Sequence, residues 1–89
     1  MEQYEWNEEK NQWLRNNRNL CFEDVIIAIE NRRILGRTKH PNRKKYANQK
    51  ILIIEINNYA YYVPYVIKKK IIFFKTIIPS RKLTKLYQL

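Results

Sequence analysis

KILIIEINNYAYYVPYVIKKKIIFFKTII, residues 50–78, is the stretch on which the fold turns. Three runs dense in β-branched and aromatic side chains, KILIIEI, YAYYVPYVI and IIFFKTII, are separated by Asn57-Asn58 and by the lysine run 68–70. Such side chains fit a pleated, half-buried surface, so each run predicts a strand. Asn-Asn accepts the positive φ of a two-residue hairpin turn, and the lysines make a second, longer connection. The expectation is a three-stranded antiparallel meander. Pro64 lacks a ladder donor and predicts a bulge or an interruption of pairing in the middle strand.

Working outward, GRTKHPNRKKYANQ (36–49) has five Lys or Arg, one Gly, one Pro and no apolar period, which reads as an exposed loop. Before it, Phe22, Val25, Ile26 and Ile29 recur at i, i+3, i+4 and i+7 and predict a helix over about residues 22–32, with Glu23 and Asp24 in its first turn. Nearer the start, Asn7 is a good N-cap and is followed by Glu8 and Glu9, where a helix dipole favours acids. A surface helix over about 8–16 follows, pinned by Trp13, Leu14 and Trp6, and broken by the Asn-rich NNRN at 16–19. After the meander, Pro79 ends the third strand and Ser80 caps a short helix in which Leu83, Leu86 and Tyr87 share a face. The order is β-α-α-β-β-β-α. The fold class is α+β: one small domain, residues 1–89, with N-terminal helices packed on an antiparallel meander and a short C-terminal helix.

Composition sets the bounds. At 89 residues and 11.0 kDa there is room for one core. With 45% hydrophobic residues, one Gly and three Pro, the chain has the apolar content to fold. Its apolar runs, ILII and IIFF among them, fall far short of the roughly 18 residues that cross a bilayer, and the acidic N-terminus has no signal-peptide pattern, so the expectation is a cytoplasmic protein without a membrane partner. One Cys, Cys21, and one His, His40, complete neither an intramolecular disulfide nor a zinc site.

The formal net charge is +10, and it is segregated: residues 1–30 hold 3 basic and 7 acidic residues (net −4), residues 31–89 hold 15 basic and 1 acidic (net +14). A field of that sign and size selects polyanions, and the asymmetry favours a nucleic-acid surface.

Three segments, YEWNEEK (4–10), CFEDVIIAIE (21–30) and KTIIPSRKLTKLY (75–87), together with the strands between them, resemble the BrnT-type toxins of bacterial type II toxin–antitoxin systems, within the wider RelE-like ribonuclease fold. Tyr4 stands where that family has Phe, Asn7 where it usually has Asp, and Cys21 where a capping Ser is expected. The resemblance implies a RelE-like fold and an mRNA interferase, a small basic endoribonuclease that cleaves mRNA, inhibits translation and is held inactive by a cognate antitoxin. It also implies encounters with the ribosome and assembly as a homodimer or a heteromeric toxin–antitoxin complex. A second reading from another class is a non-catalytic RNA- or DNA-binding regulator. The absence of a basic recognition helix and of an aromatic RNP pattern counts against it.

Metal-free RNA cleavage needs an activated 2′-hydroxyl, charge stabilisation at the phosphate and a proton for the leaving 5′-oxygen. Arg81 and Lys82, at a strand-to-helix junction, suit phosphate. Lys75, alone in an apolar strand and sharing by alternation a face with Phe73 and Ile77, suits either phosphate or an exposed edge. His40 and Tyr87 are the candidate proton carriers. Arg43, Lys44, Lys45, Tyr46 and Lys50 pair charge with a ring that can stack on a base and form the expected RNA contact. Residues 31–89 contain Glu55 as their one carboxylate, too few hard ligands for a metal nuclease, so the expected chemistry is metal-independent and uses no cofactor.

Overall fold

A computed structural model describes residues 3–42 and 44–89 as β1 (Gln3–Trp6), α1 (Glu8–Arg18), α2 (Phe22–Glu30), β2 (Ile34–Lys39), β3 (Lys50–Ile56), β4 (Tyr59–Lys68), β5 (Ile71–Phe74), β6 (Ile78–Pro79) and α3 (Arg81–Leu86). The strands form one sheet in the order β1-β5-β4-β3-β2, with β6 pairing separately to β4. β3, β4 and β5 are the predicted meander. Asn57 and Asn58 turn the first hairpin at φ 52° and 64°, and Lys69 and Lys70 turn the second at φ 52° and 66°.

Two features correct the antiparallel meander. β1 pairs parallel to β5, Gln3 with Ile71 through Trp6 with Phe74, so the sheet is mixed. Residues 34–39, read in part as loop, form edge strand β2, antiparallel to β3 with a register shift between Ile34 and Gly36. The third strand also stops at Phe74 rather than running to Ile78, and Pro79 belongs to the two-residue β6 instead of ending a strand that began at Ile71.

Pro64 sits where β4 changes partner. Its pairing with Ile51 on β3 continues without a shift. On the other side β6 pairs with Tyr61 and Tyr62, and β5 pairs from Tyr65 onward. The Pro64 carbonyl accepts the Lys75 N–H at 2.8 Å, so the proline's missing donor faces the gap between β5 and β6, where no ladder bond is lost.

Helices α1 and α2 cover one face of the sheet. Leu14, Phe22, Val25 and Ala28 pack there against Leu52, Ile54, Val63, Phe74 and Ile77, all buried. Phe22 stacks between Trp6 and Phe74 at centroid distances of 5.6 and 6.1 Å. α1 extends two residues past its expected end and stops at Asn19, which takes the left-handed conformation at φ 54°. α2 ends at Glu30, two residues early.

A buried asparagine joins the two helices. Asn11 is fully buried, its Oδ1 accepts the Phe22 N–H at 2.7 Å, and its Nδ2 donates to Glu23 Oε1 at 2.8 Å. Asn11 thereby satisfies one of the orphan donors at the start of α2, while the Asp24 carboxylate accepts the Cys21 N–H at 3.0 Å.

α3 lies on the opposite face. Ser80 Oγ accepts the Leu83 N–H, the Thr84 hydroxyl donates to the Ser80 carbonyl, and the same hydroxyl accepts the Ala60 N–H at 2.9 Å, which bolts the helix to β4. Gly36 is closely covered by this packing: a Cβ there would lie 3.2 Å from the Tyr87 hydroxyl oxygen, so the tyrosine would have to shift slightly.

Candidate nucleic-acid interface

Alternation along the strands divides the cations between two faces. Thr38 pairs with Ile51, and Gly36 with Ile53. Ile51 pairs in turn with Pro64, and Ile53 with Tyr62. These residues face away from α1 and α2. Of these, Thr38, Ile51, Ile53, Tyr62 and Pro64 floor an open groove of about 560 Å³, rimmed on one side by Lys39, His40 and Pro41 and on the other by Ile78 of β6 and Leu83 of α3.

His40 follows the last residue of β2 and is half-buried. Pro41 ends the strand, and Asn42 organises the connection that follows: its backbone N–H donates to His40 Nδ1 at 3.1 Å, its carbonyl accepts the Tyr46 N–H at 2.9 Å and its Oδ1 accepts the Lys45 N–H at 3.2 Å. The His40 N–H closes the loop on the Gln49 carbonyl at 3.2 Å. The Tyr46 ring consequently lies 4.4 Å from the imidazole, with Lys45 Nζ 5.2 Å from the Tyr46 centroid. Because Nδ1 accepts a backbone donor, the ring hydrogen in this geometry is on Nε2, which offers a hydrogen-bond donor.

The structure brings some predicted site residues together and separates others. Arg81 and Lys82 are exposed at the start of α3, whose Leu83 forms the rim opposite His40. Tyr87 follows α3, its hydroxyl over Gly36 on the same face. Lys75 is exposed beyond β5, its Nζ 5.3 Å from the Phe73 centroid, and its backbone N–H joins it to Pro64 at the groove floor. The expectation that Lys75, Phe73 and Ile77 share a face fails, because the strand ends at Phe74 and Ile77 turns into the helix-side core. Lys44 and Lys45 are exposed in the turn, and Arg43 lies outside the described residues.

Lys50 opens β3 and pairs with Lys39 and Tyr65, in a row that continues to the helix-bearing face, and it does not line the groove beside His40. Arg37 and Lys39 went unread because their segment looked like loop. The hidden signal was Ile34, with Gly36 and Thr38 in alternation behind it, and the register shift broke its period.

Among the described residues no group of three or more His, Cys, Asp or Glu could hold a metal ion, and no helix is long and apolar enough to cross a membrane. Comparison with protein families, curated proteins and solved structures gives no match to this chain.

Proposed function

We propose that the chain is a metal-independent endoribonuclease, the toxin of a type II toxin–antitoxin pair of the BrnT kind within the RelE-like fold, and that RNA is cut in the groove between the His40 loop and α3. The observation that carries this reading is His40: its Nδ1 is held by the Asn42 N–H at the rim of a groove whose other rim is the cationic helix α3. The +14 balance of residues 31–89 supports it independently.

In this reading the RNA's own 2′-hydroxyl attacks the adjacent phosphorus. The 2′-oxygen–phosphorus bond forms, the phosphorus–5′-oxygen bond breaks, the 2′-proton passes to water directly or relayed through the Tyr87 hydroxyl, and His40 as its imidazolium gives a proton to the 5′-oxygen, ending neutral with Nδ1 accepting the Asn42 N–H as observed. Arg81, with Lys82 or Lys75, stabilises charge on the phosphorane. Tyr46, with Lys45 beside it, offers a stacking surface for a base. A cognate antitoxin would keep the enzyme from mRNA in the cell, where free toxin would inhibit translation.

The test is incubation of the purified chain with single-stranded RNA, and with DNA of the same sequence, in EDTA. The expected result is RNA cleavage that leaves a 2′,3′-cyclic or 3′ phosphate on the upstream fragment, with DNA intact. Removing one phosphate-stabilising charge in Arg81→Ala typically costs about 2–4 kcal/mol of barrier, roughly thirtyfold to thousandfold in rate. Binding without cleavage would favour the regulator reading. Cleavage that needs magnesium and leaves a 3′-hydroxyl would refute the mechanism.

A further inference from the structure

The helix-bearing face carries a second cationic cluster, of which Lys39 also borders the groove while Arg37 and Lys50 do not. Lys39 on β2 stands directly opposite Lys50 on β3, and Arg37, two residues before Lys39, shares their face opposite Leu52. Side chains so paired have Cβ atoms about 5 Å apart, and like charges in that position destabilise a sheet. The ion pairs among the described residues, Arg15–Glu23 and Arg33–Glu55, leave all three cations without a carboxylate. An anion supplied from outside would relieve the repulsion.

Beside the cluster, past the end of α2, the core opens to a notch of about 90 Å³ lined by Arg37, Tyr4, Tyr65, Ile67 and Ile72. Its rim includes Ile67, which is 54% exposed, and its floor includes Phe74, on which Tyr4 stacks at 5.3 Å. A buried cavity that admits benzene measures about 150 Å³. This notch is therefore too small for a nucleobase and matches an aliphatic side chain.

We infer that this face binds an acidic segment of a protein partner, one aliphatic side chain seated in the notch and flanking Asp or Glu residues on Arg37, Lys39 and Lys50. Charge complementarity and the size of the notch select that occupant. The inference does not rest on the nuclease reading, since Arg37, Lys50 and the notch do not line the groove and its test reads binding, not cleavage.

A random dodecapeptide library displayed against the intact chain tests it, followed by fluorescence anisotropy of the enriched peptide. Enriched sequences are expected to place Asp or Glu around one Leu, Ile or Met. The triple variant Arg37→Gln, Lys39→Gln, Lys50→Gln should weaken the peptide about tenfold, since three exposed ion pairs of usual strength sum to about one decade. That variant should melt no lower than the parent, because it removes like-charge repulsion. Ile67→Ser, at an exposed position, should weaken the peptide without altering the fold. Failure to enrich any sequence, or enriched peptides that bind the triple variant and Ile67→Ser unchanged, would overturn the inference. So would a triple variant that keeps the peptide and loses affinity for a single-stranded RNA oligonucleotide, which would make this face an RNA surface.

Discussion

Replacing Asn11 by Ala should be among the most damaging single changes to the N-terminal half. The Phe22 N–H it serves is buried, and no water can replace the lost acceptor without opening the joint between α1 and α2. An unsatisfied buried donor costs about 1–3 kcal/mol. The second bond, to Glu23, adds less because the Glu23 side chain is 47% exposed and hydrates when released. The total is about 2–3 kcal/mol, and at about 4–8 °C per kcal/mol for a chain of this size the midpoint should fall by roughly 10–20 °C. Urea unfolding followed by circular dichroism reads this directly, with a lower midpoint and an unchanged slope. Asn11→Asp should not rescue, because it sets a second carboxylate against Glu23. A destabilisation by Asn11→Ala below about 0.5 kcal/mol, the range of surface substitutions, would refute the assignment of Asn11 as the helix joint.

Glu23 is held below the usual carboxylate range, chiefly by the Asn11 hydrogen bond and further by Arg15. Its folded value being lowered, its contribution is present above the unfolded value near 4.3 and is lost as pH falls through the folded one; stability of the parent should drop across that window, and Glu23→Gln should flatten the drop. Gly36→Ala should leave the fold intact, since the atom it crowds ends a flexible side chain, but should displace Tyr87 and change the cleavage rate if Tyr87 takes the 2′-proton; an unchanged rate removes Tyr87 from the mechanism. RNA affinity should fall with salt at a slope near −3 if about four cations touch phosphates of a single strand, and a flat response would redirect the charge to a protein partner. Ser80→Ala removes the α3 cap and should cost about 1 kcal/mol, with a larger loss of cleavage than of stability if α3 must be held in place for Arg81 to act.

The meander was legible because its signals are local. Asn57-Asn58 and the lysine run turn the chain within a few residues; the first turn uses the positive φ that Asn accepts readily, whereas the second holds Lys69 and Lys70 in a region lysine seldom adopts. β1 could not be placed the same way, since its parallel pairing of Gln3 with Ile71 spans most of the chain and leaves no turn chemistry behind. β2 was lost to composition: Gly36, Arg37 and Lys39 look like loop, and what makes them strand is pairing with the neighbouring β3. At the site, the link between His40 and Tyr46 was readable from their closeness in a single loop, whereas the tautomer of His40 depends on Asn42, which nothing in the sequence singles out. The face on which Lys50 stands follows from register rather than from its sequence neighbours, and no local signal gives it.

The segregation of charge has a physical division of labour behind it. Several carboxylates of the acidic third have structural employment: Glu8 accepts from the Trp6 indole, Asp24 from the Cys21 N–H, and Glu23 from Asn11 and Arg15. Downstream, Glu55 is taken by Arg33, and the other described cations of residues 31–89 have no carboxylate partner. Self-repulsion of this kind weakens a small fold, so the excess is more economically explained by ligands than by the needs of folding. The two faces then differ in what lies between the charges. One has an open groove with a histidine poised to donate and a ring able to stack, which suits an extended chain of phosphates and bases. The other has a notch of side-chain size beside three cations, which suits carboxylates spaced by one apolar anchor. On the two proposals, charge would draw polyanions to both faces, and the shape between the cations would decide which one each face keeps.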